Sequence, residues 1–163
     1  MPRSEPAPLL LYVLKRVELA IRARLDEIVR PAGLTAAQYT ALTVLERHDD
    51  LSSAQLARHS FVTAQSMADM ITTLQGRRLI ERHRDRADRR RLVVSLTAEG
   101  RMLLDRYRDE VAALEDDMIA GLSGQQTGEL RVVLNTCYDN LALAAAPHSV
   151  REYAVSEIAV GDE

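Results

Sequence analysis

The 163-residue chain has a single cysteine, a single lysine, no excess of basic over acidic residues, and no apolar run near the ~20 residues that a membrane-spanning helix needs. Each shortage closes off a class of function. Cys137, standing alone, can form no internal disulfide and has no second thiol at metal-ligand spacing, which agrees with a reducing compartment. No apolar segment of signal-peptide type follows a basic start, so a cytoplasmic protein with no membrane partner is expected. The histidines His48, His59, His83 and His148 form neither an HxxxH nor an HExxH spacing, and neither a phosphate loop nor a recognisable Ser/His/Asp motif is present. A protein without metal or cofactor, and not an enzyme, is the expectation. With 47% apolar residues the chain can bury a core of one ordinary domain.

The formal net charge of −3 argues, taken alone, against nucleic acid as a partner. Its distribution argues the other way. Between Arg77 and Arg91 stand eight arginines against three acids, Glu81, Asp85 and Asp88. The acids gather instead between Asp109 and Glu129 and after Arg151.

Apolar residues at Leu10, Leu14, Val17, Ile21, Leu25 and Ile28 step by three or four, predicting a first helix from about Pro8 to Arg30, stopped by Pro31 and Gly33. Thr35 with Gln38, Ser52 with Gln55, and Ser123 with Gln126 each read as a capping box, and each opens a helix. The first two run to about His48 and His59, and the third carries Leu130, Val133, Leu134, Cys137 and Leu141 on one stripe. On that stripe Cys137 reads as a small buried apolar residue rather than a sensor thiol. Thr63 is a good N-cap for a fourth helix with Met67, Met70, Ile71 and Leu74 inward. Leu79–Arg84 and Arg91–Leu96, separated by the polar stretch DRADRR, predict a two-stranded hairpin with a charged tip. Thr97 then caps a fifth helix with the stripe Leu103, Tyr107, Val111, Leu114 and Met118.

Two short helices joined by a tight turn and followed by a charged hairpin make a module in which one helix enters the major groove and the hairpin reaches a neighbouring minor groove. Gln65, Ser66, Asp69 and Thr72 lie outward on the fourth helix and offer donors and acceptors suited to base edges. Thr63 and the open amides of the helix start suit a phosphate. A polar helix face by itself usually means only solvent. The arginine-loaded hairpin beside it shifts the balance, because phosphate neutralisation needs such local charge.

From Leu34 to Leu104 the chain resembles the multiple antibiotic resistance regulator (MarR) family, on the segments LTAAQYTAL, SSAQLARHSFVTAQSMADMITTLQGRRLIER and DRADRRRLVVSLTAEG. The last of these, Asp-x-x-Asp-x-Arg, a strand and then L-T-x-x-G, is the most specific. The resemblance implies a mainly α fold with a small β-hairpin wing, a winged helix-turn-helix lobe between long terminal dimerisation helices. It implies a ligand-responsive repressor that binds double-stranded DNA as a homodimer on pseudo-palindromic operators. It implies that Arg90 enters the minor groove with Asp88 holding its guanidinium, and that Arg84, Arg86 and Arg89 contact phosphates; that Arg84 and Arg91 pair with neighbouring strand residues instead is an even alternative. It also implies a response to small anionic aromatics, with Tyr12, Arg16, Tyr39, His48 and Tyr107 as candidate linings. Tyr39 and Tyr107 sit on apolar stripes, where a core role is the stronger alternative. The expected organisation is a dimerisation helix over 1–33, the DNA-binding lobe over 34–98, linker and dimerisation helices over 99–146, and an acidic mobile tail over 147–163. The rival reading is a helical scaffold protein whose arginine hairpin binds an acidic partner.

Overall fold

The structure, a computed structural model, describes residues 9–145, with side chains to residue 141. The tail expected over 147–163 lies outside the described residues. Six helices and one hairpin follow in the order α1 (Leu10–Val29), a 3-10 turn (Arg30–Ala32), α2 (Ala36–Arg47), α3 (Ser53–His59), α4 (Ala64–Gly76), β1 (Ile80–Arg84), β2 (Leu92–Leu96), α5 (Ala98–Ile119) and α6 (Gly124–Ala145). This is the mainly helical fold with a hairpin wing that the sequence predicts. The chain divides into two compact units, one ending at Asp117 and the other starting at Met118. Among the described residues no helix is long and apolar enough to cross a membrane.

Local chemistry starts the helices where expected. The side chain of Thr35 accepts from the Gln38 amide while Gln38 accepts from the Thr35 amide, and Ser52 with Gln55 repeats this reciprocal pair. Ser123 and Gln126 do the same at the start of α6. α1 ends in the 3-10 turn, closed by Gly33 at φ 65°, and the carboxylate of Asp26 accepts from the Ala36 amide in the first turn of α2. Arg77 donates to the Ala32 and Gly33 carbonyls, tying the end of α4 to that corner.

The core of the first unit is Val29, Leu42, Leu45, Leu56, Met67, Ile71, Leu74, Ile80, Val94 and Leu104, each at most 2% exposed. Each such side chain contributes about 1.5–3 kcal/mol relative to remaining in water. The α1 stripe divides: Leu25 and Ile28 pack on this core, whereas Leu10, Leu14 and Val17 stay exposed. On α5 Tyr107 is buried and Leu103 and Val111 pack partly covered against the core, as the stripe predicts, and Gly100 and Leu104 are buried in addition. β1 and β2 pair antiparallel with Ile80 opposite Leu96 and Arg84 opposite Leu92. β2 does not alternate. Val93, Val94, Ser95 and Leu96 are all buried, because Leu51 adds an antiparallel bridge to Val94 and the strand lies within the lobe rather than at its surface.

Candidate nucleic-acid interface

α3 ends in a Schellman motif. The Val62 amide donates to the Ala57 carbonyl (3.1 Å) and the Phe61 amide to that of Arg58 (3.2 Å), with Phe61 itself at φ 56°. The chain thereby reverses within three residues, and Thr63 caps α4 by accepting from the Ser66 amide at 3.1 Å. Met67, Ile71 and Leu74 anchor α4 in the core, which leaves Gln65, Ser66, Asp69 and Thr72 exposed on the outer side. Their polar groups are only partly committed. The Thr63 hydroxyl donates to that of Ser66, Gln65 donates to Asp69 across a long 3.5 Å contact, and Thr72 donates to the Ala68 carbonyl. The amide oxygen of Gln65 and the Thr72 methyl therefore remain for base edges.

The wing tip is built by its two aspartates. Asp85 accepts from the Ala87 amide (2.8 Å) and, at longer range, from that of Asp88 (3.5 Å); Asp88 accepts from the Arg90 amide (3.0 Å). Each is an Asx turn. The expected grip of Asp88 on the Arg90 guanidinium is replaced by this bond to the backbone, and among the described residues no ion pair joins the two side chains. The pattern Asp-x-x-Asp-x-Arg thus sets the path of the tip and presents Arg86, Arg89 and Arg90 as exposed cations without a carboxylate partner among the described residues. Arg84 donates to the Arg90 carbonyl at 3.2 Å, closing the tip from below. The Arg84 side chain stays exposed.

Three contacts fasten the wing to the lobe. His83 meets the Asp50 carboxylate at 2.9 Å and the Ser95 hydroxyl at 3.0 Å, Leu51 bridges Val94, and Arg91 spans Gln55 and Asp85. Arg91 and Asp85 were not among the expected site residues, yet they hold the tip that carries the expected ones. The signal was available in the spacing of the aspartates from the amides they cap. The Ala87 amide holds the Asp85 carboxyl below the usual carboxylate range against the opposing effect of burial, with the Asp88 amide, Arg91 and His83 acting in the same direction as Ala87. A carboxyl depressed by folding stabilises the fold above its unfolded pKa and ceases to do so as pH falls through the folded value. Asp85→Ala should therefore speed hydrogen exchange at the Ala87 and Asp88 amides at neutral pH and lower DNA affinity about 2- to 10-fold through lost pre-ordering. Acid should bring the wild-type exchange rates toward those of the variant. Exchange rates identical at neutral pH would remove Asp85 from the tip.

The five residues expected to line an effector site differ in their settings. Tyr39 and Tyr107 are core residues, 5% and 4% exposed, and burial pushes the Tyr39 hydroxyl pKa up while the Arg108 guanidinium pulls it down. Tyr12 and Arg16 lie together on the exposed part of α1, the guanidinium 5.8 Å from the ring centre. His48 stacks on His59 with ring centres 5.2 Å apart. A concavity of about 350 Å³ takes in Tyr107 with Ala32, Arg77, Met102, Leu103 and Arg106. A second, of about 330 Å³, takes in Arg16 with Val13, Val17 and Ala20. Neither joins more than one of the five.

Comparison with known proteins accords with this geometry. A model of the MarR family matches residues 32–91, the stretch from the corner before α2 to the wing tip. The HTH-type transcriptional repressor Rv2887 of Mycobacterium tuberculosis is 34% identical over 134 residues, covering 82% of this chain and 96% of that protein. Among solved structures, the complex of Rv2887 with salicylic acid is 33% identical, covers 82% of this chain and 98% of its own, and superposes with a TM-score of 0.65. A MarR-family regulator from Silicibacter pomeroyi is 26% identical, covers 85% and 91% respectively, and gives a TM-score of 0.74.

Proposed function

This chain belongs to the MarR family of winged helix-turn-helix transcription regulators, and we propose that it acts as a dimeric repressor whose hold on a pseudo-palindromic operator is released by a small aromatic acid. The observation that carries this reading is the pairing of a partly uncommitted polar face on α4 with a pre-ordered wing tip bearing Arg86, Arg89 and Arg90. Bases are read by the first and phosphates neutralised by the second, with Arg90 directed to the minor groove. Thr63, at the start of α4, adds open amides for a phosphate. The dimer is supported by the apolar residues that one copy leaves in water: Leu10, Leu14 and Val17 on α1, and Leu130, Val133, Leu134, Tyr138 and Leu141 on α6. Two copies related by a two-fold axis place two α4 helices about one DNA turn, roughly 34 Å, apart.

The aromatic-acid effector is supported by the salicylic acid complex of Rv2887. Tyr12 and Arg16, an aromatic ring and a guanidinium together on exposed α1, are the most accessible of the five candidate groups. No observation favours the alternative of an acidic protein partner. The test is a gel shift on the DNA upstream of the gene, with wild type and Gln65→Ala, with and without salicylate. Gln65→Ala should relax discrimination at one base position by about 1–3 kcal/mol while leaving random-sequence binding unchanged. Salicylate should weaken wild-type binding about 5- to 150-fold, the span of a coupling of 1–3 kcal/mol. Equal loss on specific and random DNA would make Gln65 a phosphate contact, and a shift indifferent to salicylate and related acids would sink the effector.

A further inference from the structure

The short connection from α2 to α3 reaches four other elements with four successive residues. His48 stacks on His59 at the end of α3, and the Asp49 carboxylate lies 3.5 Å from the Arg101 guanidinium of α5. Asp50 meets His83 of β1 at 2.9 Å, and the Leu51 carbonyl accepts from the Val94 amide of β2 at 2.8 Å. Asp50 alone among the four has a left-handed backbone, φ 61°, where glycine is the unstrained residue. Aspartate tolerates that conformation better than most side chains, and here its carboxylate is turned to the wing. His83 carries the contact onward. Its ring lies 3.0 Å from the Ser95 hydroxyl on β2 and 3.2 Å from the Arg84 carbonyl, and the Arg84 side chain in turn donates to the Arg90 carbonyl at 3.2 Å. One chain of polar contacts therefore runs from Asp50 to the backbone of the residue at the tip.

We propose that Asp50 is a positioning residue for the wing: acting through His83, it fixes the direction in which the hairpin leaves the lobe and with it the reach of Arg90 into the minor groove. The inference rests on the reading of Arg90 as a minor-groove contact. Charge alone argues for the opposite effect, since a carboxylate on a DNA-binding lobe adds repulsion toward the phosphates. Removing the Asp50 charge should strengthen binding to every duplex if charge is all that counts. It should weaken binding if the wing loses its direction, because an arginine that is not pre-ordered must be ordered on the DNA.

The experiment uses the full-length protein and a duplex that the wild type selects from a randomised pool long enough for two half-sites. Asp50→Gly should unfold within a few degrees of wild type, because glycine relieves the left-handed backbone while a partly exposed ion pair is lost. It should bind the selected duplex about 3- to 10-fold more weakly, roughly 2- to 3-fold for each wing of the dimer, the range of a partly exposed pair. Arg90→Ala should cost less affinity in Asp50→Gly than in wild type, since a misdirected arginine has less contact to lose. Loss of stability alone would leave the cost of Arg90→Ala unchanged. Asp50→Asn tolerates the left-handed backbone and keeps an oxygen to face His83, so its affinity should fall between the two. The same cycle with Arg90→Ala in Asp50→Asn keeps the proposal testable if the glycine variant folds poorly. Wild-type or tighter binding by a folded Asp50 variant, or an Arg90→Ala loss of equal size with and without the Asp50 change, overturns the positioning role alone. An Arg90→Ala protein that binds as tightly as wild type, or a wild type that selects no duplex, overturns the reading of the wing and the positioning role with it.

Discussion

Gly100→Ala is expected to cost at least about 3 kcal/mol and to lower the unfolding midpoint by roughly 10 °C. A Cβ at this position would stand 2.2 Å from the carbonyl oxygen of Leu79 and 2.9 Å from Cδ2 of Leu96. The first obstacle is backbone and cannot rotate away. It is held where it is by the Thr97 amide, which donates to the Leu79 carbonyl, and by the Thr97 hydroxyl, which donates to that of Arg78 at 2.6 Å; the Gly100 amide in turn donates to the Thr97 hydroxyl. The end of α4, the base of the wing and the first turn of α5 meet at this point with no slack, so an added methyl must displace α5 from the hairpin. This explains the L-T-x-x-G segment: threonine caps α5 and clasps the wing base, and glycine three residues on lets the helix lie against it. Gly76→Ala is the matched comparison, because a Cβ there meets nothing within 4 Å and should leave the midpoint unchanged or raise it. Calorimetry or circular dichroism on the two variants checks the contrast. A Gly100→Ala protein as stable as wild type would mean that the wing base yields, and that the wing is less firmly positioned than its contacts imply.

The parts of this molecule legible in the sequence are those decided by a few neighbouring residues. Capping boxes at Thr35, Ser52 and Ser123 need only a hydroxyl and a glutamine three residues later, and all three form. The hairpin is visible in the apolar runs flanking DRADRR. Tertiary context decides the rest. β2 loses its alternation because Leu51, distant in sequence, bridges Val94 and the lobe closes around the strand. The inward face of α5 extends beyond its predicted stripe because Gly100, which no apolar pattern marks, packs closest of all, bringing Leu104 in with it. Asp88 departs from expectation for a different reason. Two residues is the distance of an Asx turn as well as of a side-chain pair, and the carboxylate takes the amide, which is already at hand and needs no long side chain to be ordered. Of the candidate effector residues, Tyr39 and Tyr107 lie in the core, as the stripe positions of their aromatic bodies imply, and Tyr107 also reaches the edge of a concavity. The α1 stripe is apolar as its spacing predicts, but nothing local reveals that its first half stays uncovered in one copy.

Replacing Arg86, Arg89 and Arg90 together by alanine should produce the largest loss of function. In the dimer Arg86 and Arg89 supply four phosphate neutralisations, which correspond to a slope of log K against log salt of about −4 and to roughly a 10²-fold range of affinity between 50 and 200 mM salt, and Arg90 adds its minor-groove contact in each half-site. The triple variant should lose that dependence: removing four phosphate contacts should lower its affinity at about 150 mM salt by a factor on the order of 10³, and what binding remains should depend far less on salt. The fold should not change, since all three side chains are exposed and the tip is shaped by bonds to backbone amides that alanine retains. An unaltered unfolding midpoint separates this loss from one caused by destabilisation, which Gly100→Ala shows as a lowered midpoint. Arg90→Ala alone adds a distinction within the wing. If Arg90 enters the minor groove, its removal should weaken binding most on sites with an A·T-rich, narrow minor groove where the wing lies, whereas Arg86→Ala and Arg89→Ala should weaken all duplexes alike. Salt titrations of the single and triple variants on the selected duplex and on random DNA give the slopes directly. A triple variant with the wild-type slope would mean that the wing stays clear of the phosphates, and that α4 and its cap carry the whole of the affinity.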